Sequence, residues 1–245
     1  MPEGLASISI VIPAFNEAKR LPATMESVLA YLSARPLSFA EILVVDDGSI
    51  DDTAALVARF AGKENRIRLL KNPGNRGKGY SVRQGMLEAK GDWILSTDAD
   101  LSAPIGELDK LFAAAIREGA EVAIGSRALD RSLVGVHQSA FRELSGRLFN
   151  IAMRVLTGLP FRDTQCGFKL FRADAARAIF SRQTLDGFSF DVEDLVIAEV
   201  LHRRAIEVPV VWNNVEGTKV SGFAGIASFG ALLGIRWRAL TGRYR

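Results

Sequence analysis

A single cysteine, Cys166, stands in the whole chain, so no internal disulfide can form and nothing marks an oxidising compartment. Histidine is nearly as scarce, and His137 and His202 are too far apart in sequence to suggest a metal site; both are expected to be structural. The opening residues, Met1-Pro2-Glu3-Gly4, lack the basic stretch and apolar run of a secretion signal, which makes the cytoplasm the expected compartment. No apolar run reaches the ~20 residues that a membrane-spanning helix needs. Long blocks of one charge, internal repeats, low-complexity tracts and interdomain linkers are also missing. The 31 Lys and Arg are interspersed with 28 Asp and Glu, leaving a net charge of +3. That mild basic excess suits phosphorylated small molecules or an anionic membrane surface better than a nucleic-acid track.

What is present is a chain of 245 residues, 48% of them hydrophobic, enough for a sizeable core. Residues 8–12 form a continuous apolar, β-branched run that stops at Pro13, the pattern of a strand buried on both faces. Similar runs at 42–45, 67–70 and 93–97 alternate with helical stretches at 18–32, 52–60 and from the glycine turn 74–79 to 89. This strand–helix rhythm predicts an α/β fold: one Rossmann-like domain with a mostly parallel central sheet flanked by helices. Further on, a helix over 105–118, strands at 122–125, 168–171 and 206–211 and a helix over 192–203 are expected. The basic stretch 127–147 reads as a mobile loop or lid. Residues 1–215 are expected to form the main domain. Residues 216–245 form a tail whose charge-free run, Val220 to Ile235, is flanked by Lys219, Arg236, Arg238, Arg243 and Arg245. Such a C-terminal apolar helix can lie in a membrane interface or dock on the protein core.

Ligands of parallel sheets collect beyond the carboxyl ends of the strands, so the residues just after each strand carry the chemistry. Four such places are polar here: Asn16-Glu17, Asp46-Asp47, the Gly74–Gly79 turn, and Asp98-Ala99-Asp100. Two carboxylates two residues apart can hold a hard divalent cation, Mg2+ or Mn2+, that also takes diphosphate oxygens. The competing reading is that Asp98 caps a turn and Asp100 is merely solvated. Gly77-Lys78-Gly79 is not a P-loop, because Gly74 precedes Gly77 by three and no Ser or Thr follows Lys78. Its glycines still permit a close backbone approach to a nucleotide, with Lys78 offered to a phosphate.

Together, Val11-Ile12-Pro13-Ala14-Phe15-Asn16-Glu17, Val44-Val45-Asp46-Asp47-Gly48-Ser49 with Asp52-Thr53, and Asp98-Ala99-Asp100 resemble the ordered signature of family 2 glycosyltransferases, which have the GT-A fold. The resemblance continues through Gly125-Ser126-Arg127, Asp163-Thr164-Gln165-Cys166-Gly167-Phe168-Lys169, Phe190-Asp191-Val192-Glu193-Asp194 and Glu216-Gly217-Thr218-Lys219. It is strongest to the polyprenyl-phosphate (dolichyl-phosphate) sugar synthases, particularly the glucosyl branch. The resemblance implies a nucleotide-binding group of Pro13, Ala14, Asn16, Glu17, Asp46, Asp47, Lys78, Asp98 and Ala99. It implies a metal pair, Asp98 and Asp100, and places Arg127 and Lys219 near the acceptor phosphate or donor diphosphate. Asp191, Glu193 and Asp194 match an acidic helix start facing the sugar, although acidic residues in a first helical turn also serve simply to complement the helix dipole. Asn213-Asn214-Val215 stands where mannosyl members carry an arginine, which favours glucose and a uracil nucleotide.

The implied reaction is inverting transfer of a hexose from UDP-glucose to a polyprenyl phosphate, by an enzyme peripheral on the cytoplasmic membrane face. A phosphate acceptor is already ionised and needs little general base; a saccharide acceptor would need one, and Asp191, Glu193 and Asp194 are the candidates. A soluble or saccharide acceptor, GDP-mannose as donor, a nucleotidyltransferase on a similar sheet and a non-catalytic nucleotide-sugar-binding scaffold are the alternatives. Nucleic acid is not an expected partner, and oligomeric state is left open.

Overall fold

The computed structural model describes residues 6–133, 151, 153–213 and 224–245, with backbone only at Arg131 and 224–229. Among the described residues, seven strands form one sheet in the order β3-β2-β1-β4-β6-β5-β7. The strands are β1 (Ser7–Ala14), β2 (Phe39–Asp46), β3 (Ile67–Lys71), β4 (Trp93–Ser96), β5 (Val122–Ser126), β6 (Lys169–Arg172) and β7 (Ala205–Pro209). Neighbours are parallel except around β6, which runs antiparallel to both β4 and β5. The mostly parallel sheet expected from the sequence is therefore present, with one reversed strand that the apolar pattern of residues 168–171 could not reveal.

Helices cover both faces. α1 (Leu21–Ser33), α2 (Thr53–Ala61) and α4 (Leu108–Glu118) pack on one side; α3 (Lys78–Glu88), α5 (Ala173–Phe180), α6 (Phe190–Val200) and α7 (Ala224–Leu240) lie on the other. Because side chains alternate along a strand, Ile8, Ile10 and Ile12 of β1 enter the first core and Val11 the second. This two-sided burial is why the strands read as unbroken apolar runs. Local signals agree with the boundaries: Pro22 lies in the first turn of α1, and Gly119 ends α4 in the left-handed conformation, φ 61°. The short helix α5 was not anticipated.

Helix α3 lies tight against the sheet. A Cβ on its Gly85 would lie 2.3 Å from Val11 Cγ1 and 3.1 Å from Val45 Cγ2, so only glycine lets the helix settle onto β1 and β2. Its amino end thereby reaches the carboxyl edge of the sheet. At the other end of the chain, Leu232 and Ile235 of α7 are fully buried in the second core, so this helix docks on the protein. Among the described residues no helix is long and apolar enough to cross a membrane. Most of the basic stretch 127–147, and His137 and Lys219, lie outside the described residues.

Candidate active site

β1, β2 and β4 run parallel, so their carboxyl ends deliver Pro13-Ala14, Asp46-Asp47 and Asp98-Ala99-Asp100 to one edge. A cavity of about 420 Å3 opens there, lined by residues that include Pro13, Glu17, Arg20, Lys78, Asp98 and Asp100. Ala14, Asp47 and Ala99 also line it. A larger depression, about 690 Å3, lies at the opposite edge of the sheet. Its arginines are already committed: Arg35 to Asp109, Arg66 to Glu64 and Arg68 to Glu41. The smaller cavity is the one that gathers the strand-end carboxylates Asp98 and Asp100 with Lys78.

Within it, Lys78 Nζ lies 2.7 Å from Asp98 Oδ1. Burial alone would raise the Asp98 carboxyl, but Lys78, with Arg127 and Lys169 behind it, holds it below the ordinary carboxylate range. Gly167 backs the same carboxylate; a Cβ there would come within 2.4 Å of Asp98 Oδ2. Asp100 Oδ1 accepts from the Ser102 backbone N–H (3.0 Å) and hydroxyl (2.9 Å), and Arg20 Nη1 lies 3.8 Å from Asp100 Oδ2. Arg20 also forms a two-pronged pair with Glu17 (2.6 and 2.7 Å), so it ties the first motif to the third. Leu101 follows at φ 47°, a left-handed conformation that costs on the order of 1 kcal/mol for a side chain of this kind. That strain sits directly after the two carboxylates.

Of the remaining nucleotide-site candidates, Asp47 lines the cavity, whereas Asn16 and Asp46 do not. Asp47 accepts from the backbone N–H groups of Arg76 (2.9 Å) and Gly77 (2.8 Å) and from Asn72 Nδ2 (2.7 Å), which fixes the glycine turn. Gly77 has φ 104° and ψ 160°, open to glycine alone, and launches α3 so that Lys78 enters the cavity. Asp46 accepts from the Ser49 N–H, while Asn16 Oδ1 accepts from Ile50 N–H, joining the first two motif loops.

Behind the cavity lies a second charged layer. Arg127 makes a bidentate pair with Asp163, Nε–Oδ2 2.7 Å and Nη2–Oδ1 2.8 Å, and its guanidinium lies over the Trp212 ring at 4.9 Å. Lys169 pairs with Asp191, both buried. Glu193 and Asp194 are buried too, and none of Arg127, Asp191, Glu193 and Asp194 lines the cavity. Cys166 is fully buried; that burial, with Asp163 nearby, pushes its thiol up to about 12, which suits packing and not nucleophilic attack. Sequence reasoning gave no role to Arg20, Gly167 or Phe188, which also lines the cavity. Lys169 carried a readable signal, a lysine beginning an apolar strand, where it must find a partner.

Among the described residues no group of three or more His, Cys, Asp and Glu side chains could hold a metal by itself. Two hard carboxylates on one cavity nevertheless fit a magnesium or manganese ion, which keeps waters and takes substrate phosphates for its remaining positions.

These features describe a carboxylate-bearing cavity at the carboxyl edge of an α/β sheet. Comparison with known proteins gives the class: the model for glycosyl transferase family 2 matches residues 9–180, and the chain belongs to that family. Its relatives include dolichyl-phosphate beta-glucosyltransferases. The human protein is 36% identical, over 97% of this chain and 77% of its own, and the Saccharomyces cerevisiae protein is 32% identical, over 97% and 76%. Among solved structures, glucosyl-3-phosphoglycerate synthase from Mycobacterium tuberculosis with Mn2+, UDP-glucose and phosphoglyceric acid has the same fold, with a TM-score of 0.65 at 19% identity over 98% of this chain and 80% of that one. Mannosyl-3-phosphoglycerate synthase from Rubrobacter xylanophilus gives 0.69 at 19%, over 97% and 75%.

Asp194 supplies a test of the buried acidic layer. Among the described residues, neither of its carboxylate oxygens has a hydrogen-bond partner. Burial raises its carboxyl well above the ordinary range; Lys169 opposes the shift, and Asp191 and Glu193 add to it. An acid with its pKa raised by folding binds more protons when folded than when unfolded, so its contribution to stability is lost as pH rises above about 4. Asp194→Asn should therefore gain melting temperature over the wild type by a margin that widens between pH 4 and pH 7; a margin independent of pH would contradict the assignment.

Proposed function

We propose that this glycosyltransferase moves glucose from UDP-glucose to a polyprenyl (dolichyl) phosphate in one inverting displacement. The observation that carries the proposal is the meeting of Asp98, Asp100 and Lys78 on one cavity at the end of β4, with the cations Arg127 and Lys169 behind it. The names of the relatives supply the acceptor and the sugar.

Asp98 and Asp100 would hold a magnesium or manganese ion, whose chemistry is to neutralise charge on the departing diphosphate. Lys78, already at this carboxylate, serves as the mobile counter-charge for a β-phosphate oxygen. Pro13, Ala14, Asn16, Glu17, Asp46 and Asp47 shape the nucleoside end. Arg127, aimed by Asp163, and Lys219, which lies outside the described residues, position the acceptor phosphate. An ionised acceptor oxygen attacks the anomeric carbon, the bond from that carbon to the diphosphate breaks, and its electron pair leaves with UDP. No proton has to move. The acidic start of α6 is consistent with this: Asp191 is held by Lys169, Glu193 is saturated by donors, and Asp194, whose oxygens have no hydrogen-bond partner among the described residues, is buried and does not line the cavity, so none of the three is placed to serve as the base a hydroxyl acceptor needs.

With UDP-[14C]glucose, label should enter the organic phase when polyprenyl phosphate is added and should not enter saccharide acceptors. Asp98→Asn and Asp100→Asn should each cut that transfer by about 100-fold or more, in line with losing electrostatic stabilisation of a leaving group. Full activity of Asp100→Asn at saturating magnesium would remove the carboxylate from its role.

A lipid acceptor calls for a membrane contact, and α7 offers one. Leu233, Trp237 and Leu240, spaced to share one helical face, are exposed while Leu232 and Ile235 hold the opposite side to the core. Arg236, Arg243 and Arg245 lie nearby in sequence and are exposed. We infer peripheral binding to an anionic lipid surface. Co-sedimentation with vesicles containing phosphatidylglycerol should fall for Trp237→Glu with donor turnover in detergent retained; unchanged sedimentation contradicts this contact.

A further inference from the structure

Glu193 lies in the first turn of α6 with no exposed surface, and four donors converge on it. Thr184 N–H (3.0 Å) and Leu185 N–H (2.8 Å) reach Oε2, and the hydroxyls of Thr184 (2.6 Å) and Tyr244 (2.7 Å) reach Oε1. Three of these donors belong to the loop between α5 and α6. The fourth arrives from beyond α7, where Tyr244 is fully buried.

The same loop is the seat of the amino end of α3. Gln183 Nε2 donates to the carbonyls of Gly79 (3.0 Å) and Leu185 (2.7 Å), and Tyr80 N–H donates to the Asp186 carbonyl (3.2 Å). Arg83 joins Gln183 O (3.1 Å) to the Asp186 carboxylate (3.1 Å). There is no slack between the two segments: a Cβ on Gly77 would meet Asp186 O at 2.5 Å, and one on Gly79 would meet Leu185 O at 2.6 Å. What this seat carries is Lys78, on Asp98, and the loop itself ends at Phe188, which lines the cavity.

We propose that Tyr244 is a positioning residue for donor binding: through Glu193 it clamps the 183–187 loop, and the loop in turn holds Lys78 and Phe188 at the nucleotide-sugar cavity. The proposal rests on the donor-site reading and gives Glu193 a structural task beneath that site. Any displacement of the loop is passed to the glycine turn, because the close backbone contacts leave the two segments no independent movement. The acceptor side, built on Arg127 and Asp163, has no bond in this chain of contacts.

The test is Tyr244→Phe, which removes one hydroxyl and leaves the ring in the core, with Thr184→Val as a second variant cutting the same carboxylate's bonds from the loop side. Each should raise the KM for UDP-glucose about fivefold, and weaken UDP binding in the presence of Mn2+ by a similar factor, while the KM for polyprenyl phosphate stays within about twofold. Equal rises in both KM values, or a lowered melting temperature with no change in either, would overturn the clamp and leave Tyr244 a packing residue. Unchanged UDP affinity in both variants would overturn it as well. A wild-type protein that binds no UDP with Mn2+ would overturn the donor-site reading, and the clamp with it.

Discussion

A carboxylate at the end of a buried strand has given up much of its water, and Asp98 keeps its charge because Lys78 stands 2.7 Å away with Arg127 and Lys169 behind. The rest of the carboxyl edge is arranged to bring those partners together. Lys78 reaches Asp98 only because α3 starts at a glycine with φ 104° and because Gly85 lets that helix lie flat against β1 and β2. Asp47, Asn72 and the backbone of residues 76 and 77 hold the turn in place. Gly167 leaves room for the carboxylate on its other side.

This balance of charge links structure to reaction. Under the proposed reaction, Asp98 and Asp100 would hold the cation and Lys78 would offer its charge to the diphosphate, so that donor and cation together would add little net charge to the site. In the proposed reaction the second layer would act on the other reactant. Arg127 is held rigid by its bidentate bond to Asp163, which balances its charge and fixes the direction of its remaining N–H donors.

Much of the fold was legible because buried parallel strands announce themselves as continuous β-branched runs, and β1 to β4 with their helices sit where the pattern places them. Motif residues at the strand ends were legible for the same reason: Pro13, Asp47, Asp98 and Asp100 share a cavity because parallel strands share an edge. Less could be read where contact depends on distant segments. The reversal of β6 leaves no mark on its apolar residues, and the eight-residue α5 is too short for a firm period. That Lys169 pairs with Asp191, that Arg20 bridges Glu17 and Asp100, and that Tyr244 meets Glu193 are facts of tertiary packing between residues with no sequence pattern to join them. The tail of the chain, expected either at a membrane or on the core, packs Leu232 and Ile235 into the core and leaves Leu233 and Trp237 exposed.

The central claim is that Asp98 and Asp100 form a cation-dependent diphosphate site. Calorimetric titration with UDP, with and without Mn2+, tests it most directly. The wild type should bind UDP at least about tenfold tighter when Mn2+ is present, and Asp98→Asn should lose that increment. Equal UDP affinity in the presence and absence of the ion would contradict the account.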